Sequence, residues 1–149
     1  MRNLIRTTAS YAPTVLRVVL GVIFFAHGAQ KALGWFGGHG FSATVNGFQR
    51  GLGIPEPLAV LAIAAEFLGG LGLIVGLLGR VAAFGIACTM VVAVFKANIA
   101  NGLFMNWEGT QKGEGYEYHL LAIAMSIAIM IMGSGALSLD RLLTKRSAT

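Results

Sequence analysis

Residues 59–78 read AVLAIAAEFLGGLGLIVGLL, twenty positions in which one carboxylate, Glu66, interrupts an otherwise uncharged run. An α-helix needs about 20 apolar residues to cross the hydrocarbon core of a bilayer. The stretch therefore predicts a membrane helix, with Glu66 at bilayer depth. An ionisable group there is costly unless it is paired, neutralised or wetted, which makes it a functional candidate. The remaining chain is read for its partners.

The chain is 56% hydrophobic and only 11% charged, with mean hydropathy +0.74. That balance excludes an ordinary soluble domain and points to an integral membrane protein whose first partner is the lipid bilayer. The single cysteine, Cys88, lies in an apolar run, so there is no disulfide framework, no CxxC motif and no cysteine metal cluster. The net charge of +5 comes from basic residues scattered among apolar segments, with no stripe or recognition motif for nucleic acid.

Upstream, residues 13–33 (PTVLRVVLGVIFFAHGAQKAL) are too long and too charged for a signal-peptide core and predict the first membrane helix. Arg17, Gly21, Phe24, Gly28 and Lys31 share one face of it, and His27 borders that face. The Gly-rich stretch 34–57 ends in two prolines and marks a connection. Within it Phe41, Val45, Phe48 and Leu52 recur at helical spacing, which predicts a short helix lying in the membrane interface. Downstream of residues 57–78, a turn at Gly79-Arg80 leads to a third helix over 81–104. A polar loop over 105–116 leads to a fourth, over 117–132. The expected fold is all-α, a single domain over 1–149 built as an antiparallel four-helix membrane bundle with one interfacial helix.

Seven basic residues (Arg2, Arg6, Arg17, Arg80, Arg141, Lys145, Arg146) fall on the side of the termini, against four (Lys31, Arg50, Lys96, Lys112) on the other. The positive-inside rule then makes both termini cytoplasmic, and Trp35, Phe36, Phe41, Phe104, Trp107, Tyr116 and Tyr118 form an outer aromatic belt. Arg17 is expected to snorkel alone to the inner headgroups.

A rise of about 1.5 Å per residue puts His27, Lys31 and Lys96 about 20, 26 and 23 Å above the inner end, with Glu66 about 14 Å and His119 about 3 Å below the outer end. Titratable groups of all four helices thus gather in one leaflet. Glu66, His27 and Lys96 are the candidate catalytic set. Lys31, Glu117 and His119, with Gly69 and Gly70 beside the carboxylate, are candidate ligand contacts. Each has a plainer explanation: a structural ion pair of Glu66 with Lys96 or Lys31, an interfacial His119, a solvated His39, and glycines that serve helix packing.

The segments LRVVLGVIFFAHGAQKALGWFGG, LGIPEPLAVLAIAAEFLGGLGLIVGLLGR, VFKANIANGLF, GYEYHLLAIA and GSGALSLD together resemble the DoxX family of small bacterial membrane proteins, from Leu16 to Leu142. The resemblance implies four helices in a bacterial inner membrane. It also implies a link to redox physiology, since relatives are associated with quinone-coupled thiosulfate oxidation and oxidative-stress complexes, and many bear an oxidoreductase label. It places His27, Lys31, Glu66, Lys96, Glu117 and His119 at the family's polar positions. Asn98 stands where many members are expected to have histidine, which argues against a metal ligand on the third helix, and no metal site is expected.

Three functions stay open. One is a quinone-interacting subunit, workable without an intrinsic cofactor only if a membrane or periplasmic redox partner supplies electrons, because the chain has no flavin, nicotinamide or iron–sulfur motif. The others are a proton or small-solute carrier, completed by homo-oligomerisation, and a non-catalytic scaffold subunit. A haem held by His27 and His119 fits poorly, since their depths differ by about 7 Å.

Overall fold

The computed structural model describes residues 2–146, and the side chains of 4–145 within them. The charges of Arg2 and Arg146, counted above for orientation, lie outside the described side chains. The described chain is all-helical. Its α-helices are α1 (Arg2–Ile5), α2 (Ala12–Leu33), α3 (Phe41–Leu52), α4 (Glu56–Val75), α5 (Gly79–Ala93), α6 (Glu117–Met132) and α7 (Leu139–Arg146).

Three helical stretches are long and apolar enough to cross a membrane: Ala12–Leu33, Glu56–Val75 and Gly79–Asn101, the last being α5 with its continuation. At 16 residues α6 is shorter, though equally apolar. Val22, Leu61, Leu68, Phe84, Leu121 and Ile131 are exposed on the outward faces, as lipid contact requires. Inward, Leu20 and Phe24 of α2, Leu73 of α4, Ala83, Ile86 and Met90 of α5, and Ala122 and Ile129 of α6 form one core. Helix α2 packs on α4 and α6, and α5 packs on the same two.

Lipid tails are as apolar as leucine, so these helices are held by close packing rather than by exclusion from water. The α2–α4 seam shows how close. A Cβ at Gly70 would lie 2.5 Å from the Phe25 nitrogen, one at Gly21 would lie 2.8 Å from the Gly70 oxygen, and one at Gly28 would collide with the Phe67 backbone. Gly69 is different, since its Cβ would meet Ala82 at an ordinary 3.7 Å.

The short helix predicted from the spacing of Phe41, Val45, Phe48 and Leu52 is α3, with the anticipated bounds. Val45 is buried and Phe48 and Leu52 are half-buried against Ile54, Ala59 and Ile63, while Phe41 is exposed. The second helix ends earlier than predicted, at Val75. Gly76 enters the left-handed region (φ 73) and bonds back to Gly72 and Leu73. The connection is therefore 76–78, and Gly79-Arg80 begins α5. The third helix also departs from the prediction: after Ala93 it loosens into a π-turn (Val94–Asn98), tightens into a 3₁₀ turn (Ile99–Asn101) and stops at Gly102 (φ 83), leaving Phe104 in the loop.

Candidate functional site

Glu66 sits on the buried face of α4 with 3% of its surface exposed. The Gly28 approach brings α2 onto the backbone of Glu66 and Phe67, and one turn further along α2 is Lys31. Its ammonium donates to Glu66 Oε2 at 2.5 Å, with 24% of the Lys31 side chain exposed and 4% of that of Glu66. Among the described residues this is the carboxylate's one hydrogen-bond donor.

Tyr118 of α6 packs against α2. Its ring stacks at 6.3 Å on Phe24 and lies 6.4 Å from His27 and 5.7 Å from His119. Its hydroxyl is buried and has no hydrogen-bond partner among the described residues, and the same holds for His119 Nδ1 and Ser126 Oγ. Buried polar atoms are rarely left unpaired, and those that are call for an explanation such as a ligand. His27 is exposed at the edge of this group and packs through its ring on Phe24 and Tyr118.

The structure thus brings Glu66, Lys31, His27 and His119 to the α2–α4–α6 end of the bundle, and adds Tyr118. The sequence reading assigned Tyr118 to the aromatic belt. The missed signal was the spacing of Tyr118 with Ala122, Ser126 and Ile129, which puts it on the buried face of α6.

Other candidates stand elsewhere. Lys96 is exposed on the π-turn and, among the described residues, makes no hydrogen bond or ion pair, so the partner of Glu66 is Lys31 instead. A π-turn resets the register of the residues it carries, which a straight-helix depth estimate ignores. Glu117 organises the loop, its Oε1 accepting from Met105 N at 3.1 Å and Trp107 Nε1 at 3.3 Å. Space beside Gly70 is filled by α2, so that glycine serves the helix crossing and leaves no room for a flat ligand. Asn98 donates to the carbonyls of Glu114 and Gly115. No group of histidine, cysteine and acidic residues that could hold a metal occurs among the described residues.

A second polar cluster, at the opposite end, corrects the expectation of a snorkelling Arg17. Its side chain is buried, 2% exposed. Nε donates to Ser134 O at 2.7 Å, Nη1 to Leu73 O and Ile74 O at 2.6 and 2.7 Å, and Nη2 to Leu137 O. The guanidinium thereby caps the C-terminus of α4, serving the Ile74 carbonyl and adding a second bond to that of Leu73. Buried Asp140 does the converse for α5, accepting from Leu78 N at 2.8 Å, Gly79 N at 3.1 Å and Ser134 Oγ at 2.5 Å. A carboxylate at a helix N-terminus suits the dipole, and here it also holds Leu78 in a left-handed conformation (φ 51). Gly76 permits this junction, since a Cβ there would lie 2.5 Å from Ser138 Cβ and 2.9 Å from Arg17 Cζ. The Arg80 side chain bonds carbonyls of Arg6, Met130 and Ile131, closing the end of α6.

An all-α membrane protein with a buried ion pair at one end of its helices and an arginine–aspartate clamp at the other is the class these observations define. Comparison with known families gives the rest: residues 12–99 match the family described as DoxX, and residues 57–149 match the one described as "TQO small subunit DoxD". The chain belongs to the DoxX family. It is 29% identical over 126 residues to "Putative oxidoreductase CatD" of Bacillus subtilis (strain 168), covering 85% of this chain and 82% of that protein. It is also 29% identical over 136 residues to "Inner membrane protein YqjF" of Escherichia coli (strain K12), covering 89% and 92%. An uncharacterised protein of Haemophilus influenzae matches at 29% over 138 residues, 91% and 93% of the two chains. No solved structure matches.

Proposed function

We propose that this chain is the membrane subunit of a quinone-linked oxidoreductase, and that the α2–α4–α6 seam at Tyr118 and Glu66 holds the quinone headgroup. The observation that carries this reading is the buried Tyr118 hydroxyl, which has no hydrogen-bond partner among the described residues. A phenol so placed is a hydrogen-bond donor free to meet an acceptor from outside the chain, and a quinone carbonyl is such an acceptor. When bound, a quinone supplies two-electron, two-proton redox chemistry.

The protein's part in that chemistry is orientation and proton supply. Tyr118 donates the orienting hydrogen bond, and His27, exposed at the edge of the ring cluster, offers a second polar contact from the lipid side. Glu66 stores the proton, and Lys31 holds the carboxylate in place. Electrons come from a redox partner. Lys96 and Glu117, being apart from this cluster, serve the outer end and its loop.

In this reading α2, α4, α5 with its continuation, and α6 cross a bacterial inner membrane as an antiparallel bundle. The termini are cytoplasmic and α3 lies flat at the outer surface. The name of the YqjF relative supports the membrane assignment, and the name of the CatD relative supports the oxidoreductase link. Extraction and analysis of quinone co-purifying with the chain tests the function. Quinone present in the wild type and lost in Tyr118→Phe is the expected result, and its absence from the wild type refutes the reading.

A further inference from the structure

A cleft of about 370 Å³ opens between the end of α2, the loop that follows it and α3, lined among others by Gln30, Lys31, His39, Thr44, Gly47 and Phe48. Lys31 is the one residue of the buried ion pair that reaches it, since Glu66 itself is sealed. Gln30 Nε2 is engaged by Phe36 O and Thr44 Oγ1 by Lys31 O. The Lys31 ammonium spends one donor on Glu66, and an ammonium has three.

Gly47 lies inside helix α3 at negative φ, and a Cβ there would meet nothing within 4 Å. Neither backbone conformation nor close approach requires glycine at this position, and glycine is the poorest helix former after proline. What it does is leave the wall of the cleft bare. In the other direction from Glu66 the bundle is shut: Phe24, Leu20, Leu73, Ile86 and Ile129 are all at most 2% exposed.

We infer that this cleft is a one-sided aqueous vestibule through which Glu66 exchanges protons with the solution on the α3 face, with Lys31 as the connecting group. The titratable groups around the route are Lys31 and His27 on α2, His39 at the cleft, Tyr118 and His119 on α6, and Lys96 on the π-turn beyond α5. Of these, Lys31 and His39 line the cleft. One-sided access makes any proton uptake at Glu66 draw on a single face of the membrane. The inference rests on the proposed function only for the use of that proton, not for its route.

Acylation of Lys31 tests it. An N-hydroxysuccinimide ester transfers its acyl group to the Lys31 amine, forming an amide and releasing N-hydroxysuccinimide, and the product is read at Lys31 by mass spectrometry. The full chain is held in oriented membrane vesicles. A sulfonated, impermeant ester should acylate Lys31 when added to the α3 face and not from the opposite face. Gly47→Leu should abolish that product, while a lipid-soluble carbodiimide, itself converted to its urea, still joins Lys31 to Glu66 as an amide and so reports an intact pair. If the leucine substitution disturbs the pair, Ala43→Phe fills the same cleft and must give the same result.

Reaction from both faces, no reaction of the wild type with the water-soluble reagent, or full reaction in the filled variants overturns the inference. The predicted labelling pattern at Lys31 in a protein that binds no quinone would keep the vestibule and refute the quinone site. Quinone binding without that pattern would do the reverse.

Discussion

Lys31 Nζ lies 2.5 Å from Glu66 Oε2, joining α2 to α4 at a level where only the lysine touches a cleft. Pairing of this kind is weak evidence of stabilisation, but removing one partner strands the other charge and is costly. Lys31→Met should therefore destabilise the protein by about 3–5 kcal/mol. The double variant Lys31→Met/Glu66→Leu should recover most of that loss in an unfolding assay in detergent. If the pair also serves proton chemistry, the recovered double variant stays folded in the membrane and fails to support redox activity. Full activity in it would reduce the pair to architecture.

Tyr118→Phe removes a buried hydroxyl that has no partner among the described residues. Since no hydrogen bond is lost, stability should stay within about 1 kcal/mol of wild type or rise. Quinone retention should nonetheless disappear. A fall in stability equal to the loss of a satisfied hydrogen bond would mean that the hydroxyl has a partner within the chain.

Two adjacent glycines should behave oppositely. Gly70→Ala forces a Cβ against the α2 backbone and should cost about 1–3 kcal/mol, the usual penalty of overpacking. Gly69→Ala meets only Ala82 at contact distance and should be neutral or slightly stabilising through helix propensity. Thermal unfolding of the two variants side by side decides the matter.

Asp140→Ala leaves the amides of Leu78 and Gly79 and the Ser134 hydroxyl without their acceptor. A loss of about 1–3 kcal/mol is expected for the buried groups so stranded. Protease cleavage at the 76–78 connection should accelerate in parallel, whereas the Lys31–Glu66 end should be undisturbed. Uniform loosening of both ends would show that the clamp and the site are coupled.

Orientation is checked by thiol labelling. In a Cys88→Ser background, needed because Cys88 is exposed, Lys145→Cys should be unreactive to an impermeant maleimide applied outside intact cells and should react after lysis. Labelling from outside would invert the proposed topology.

The sequence alone revealed the helices because length, hydropathy and capping glycines act locally: α3 and α6 were predicted to the residue, and Gly34 ends α2 as a left-handed glycine should. It also singled out Glu66, since a carboxylate in an apolar run is visible without any neighbour. What was not legible was pairing across the chain. Lys31 and Lys96 looked equivalent on a straight-helix ruler, and only the π-turn at Val94–Asn98 and the Gly28 crossing decide between them. Arg17 looked like an anchor for headgroups because its carbonyl acceptors are supplied by Leu73, Ile74, Ser134 and Leu137, none of them recognisable as acceptors from side-chain identity.

Those acceptors set an order of events during synthesis. Arg17 enters the membrane with the first long helix, yet the carbonyls of Ser134 and Leu137 lie 117 and 120 residues later in the chain. Until the ribosome has released that final stretch, the arginine remains partly unsatisfied in an apolar setting, and the N-terminus of α5 lacks the Asp140 carboxylate. A chain truncated before Ser134 would therefore present an exposed intramembrane charge, the kind of feature by which a cell can tell an unfinished membrane protein from a complete one.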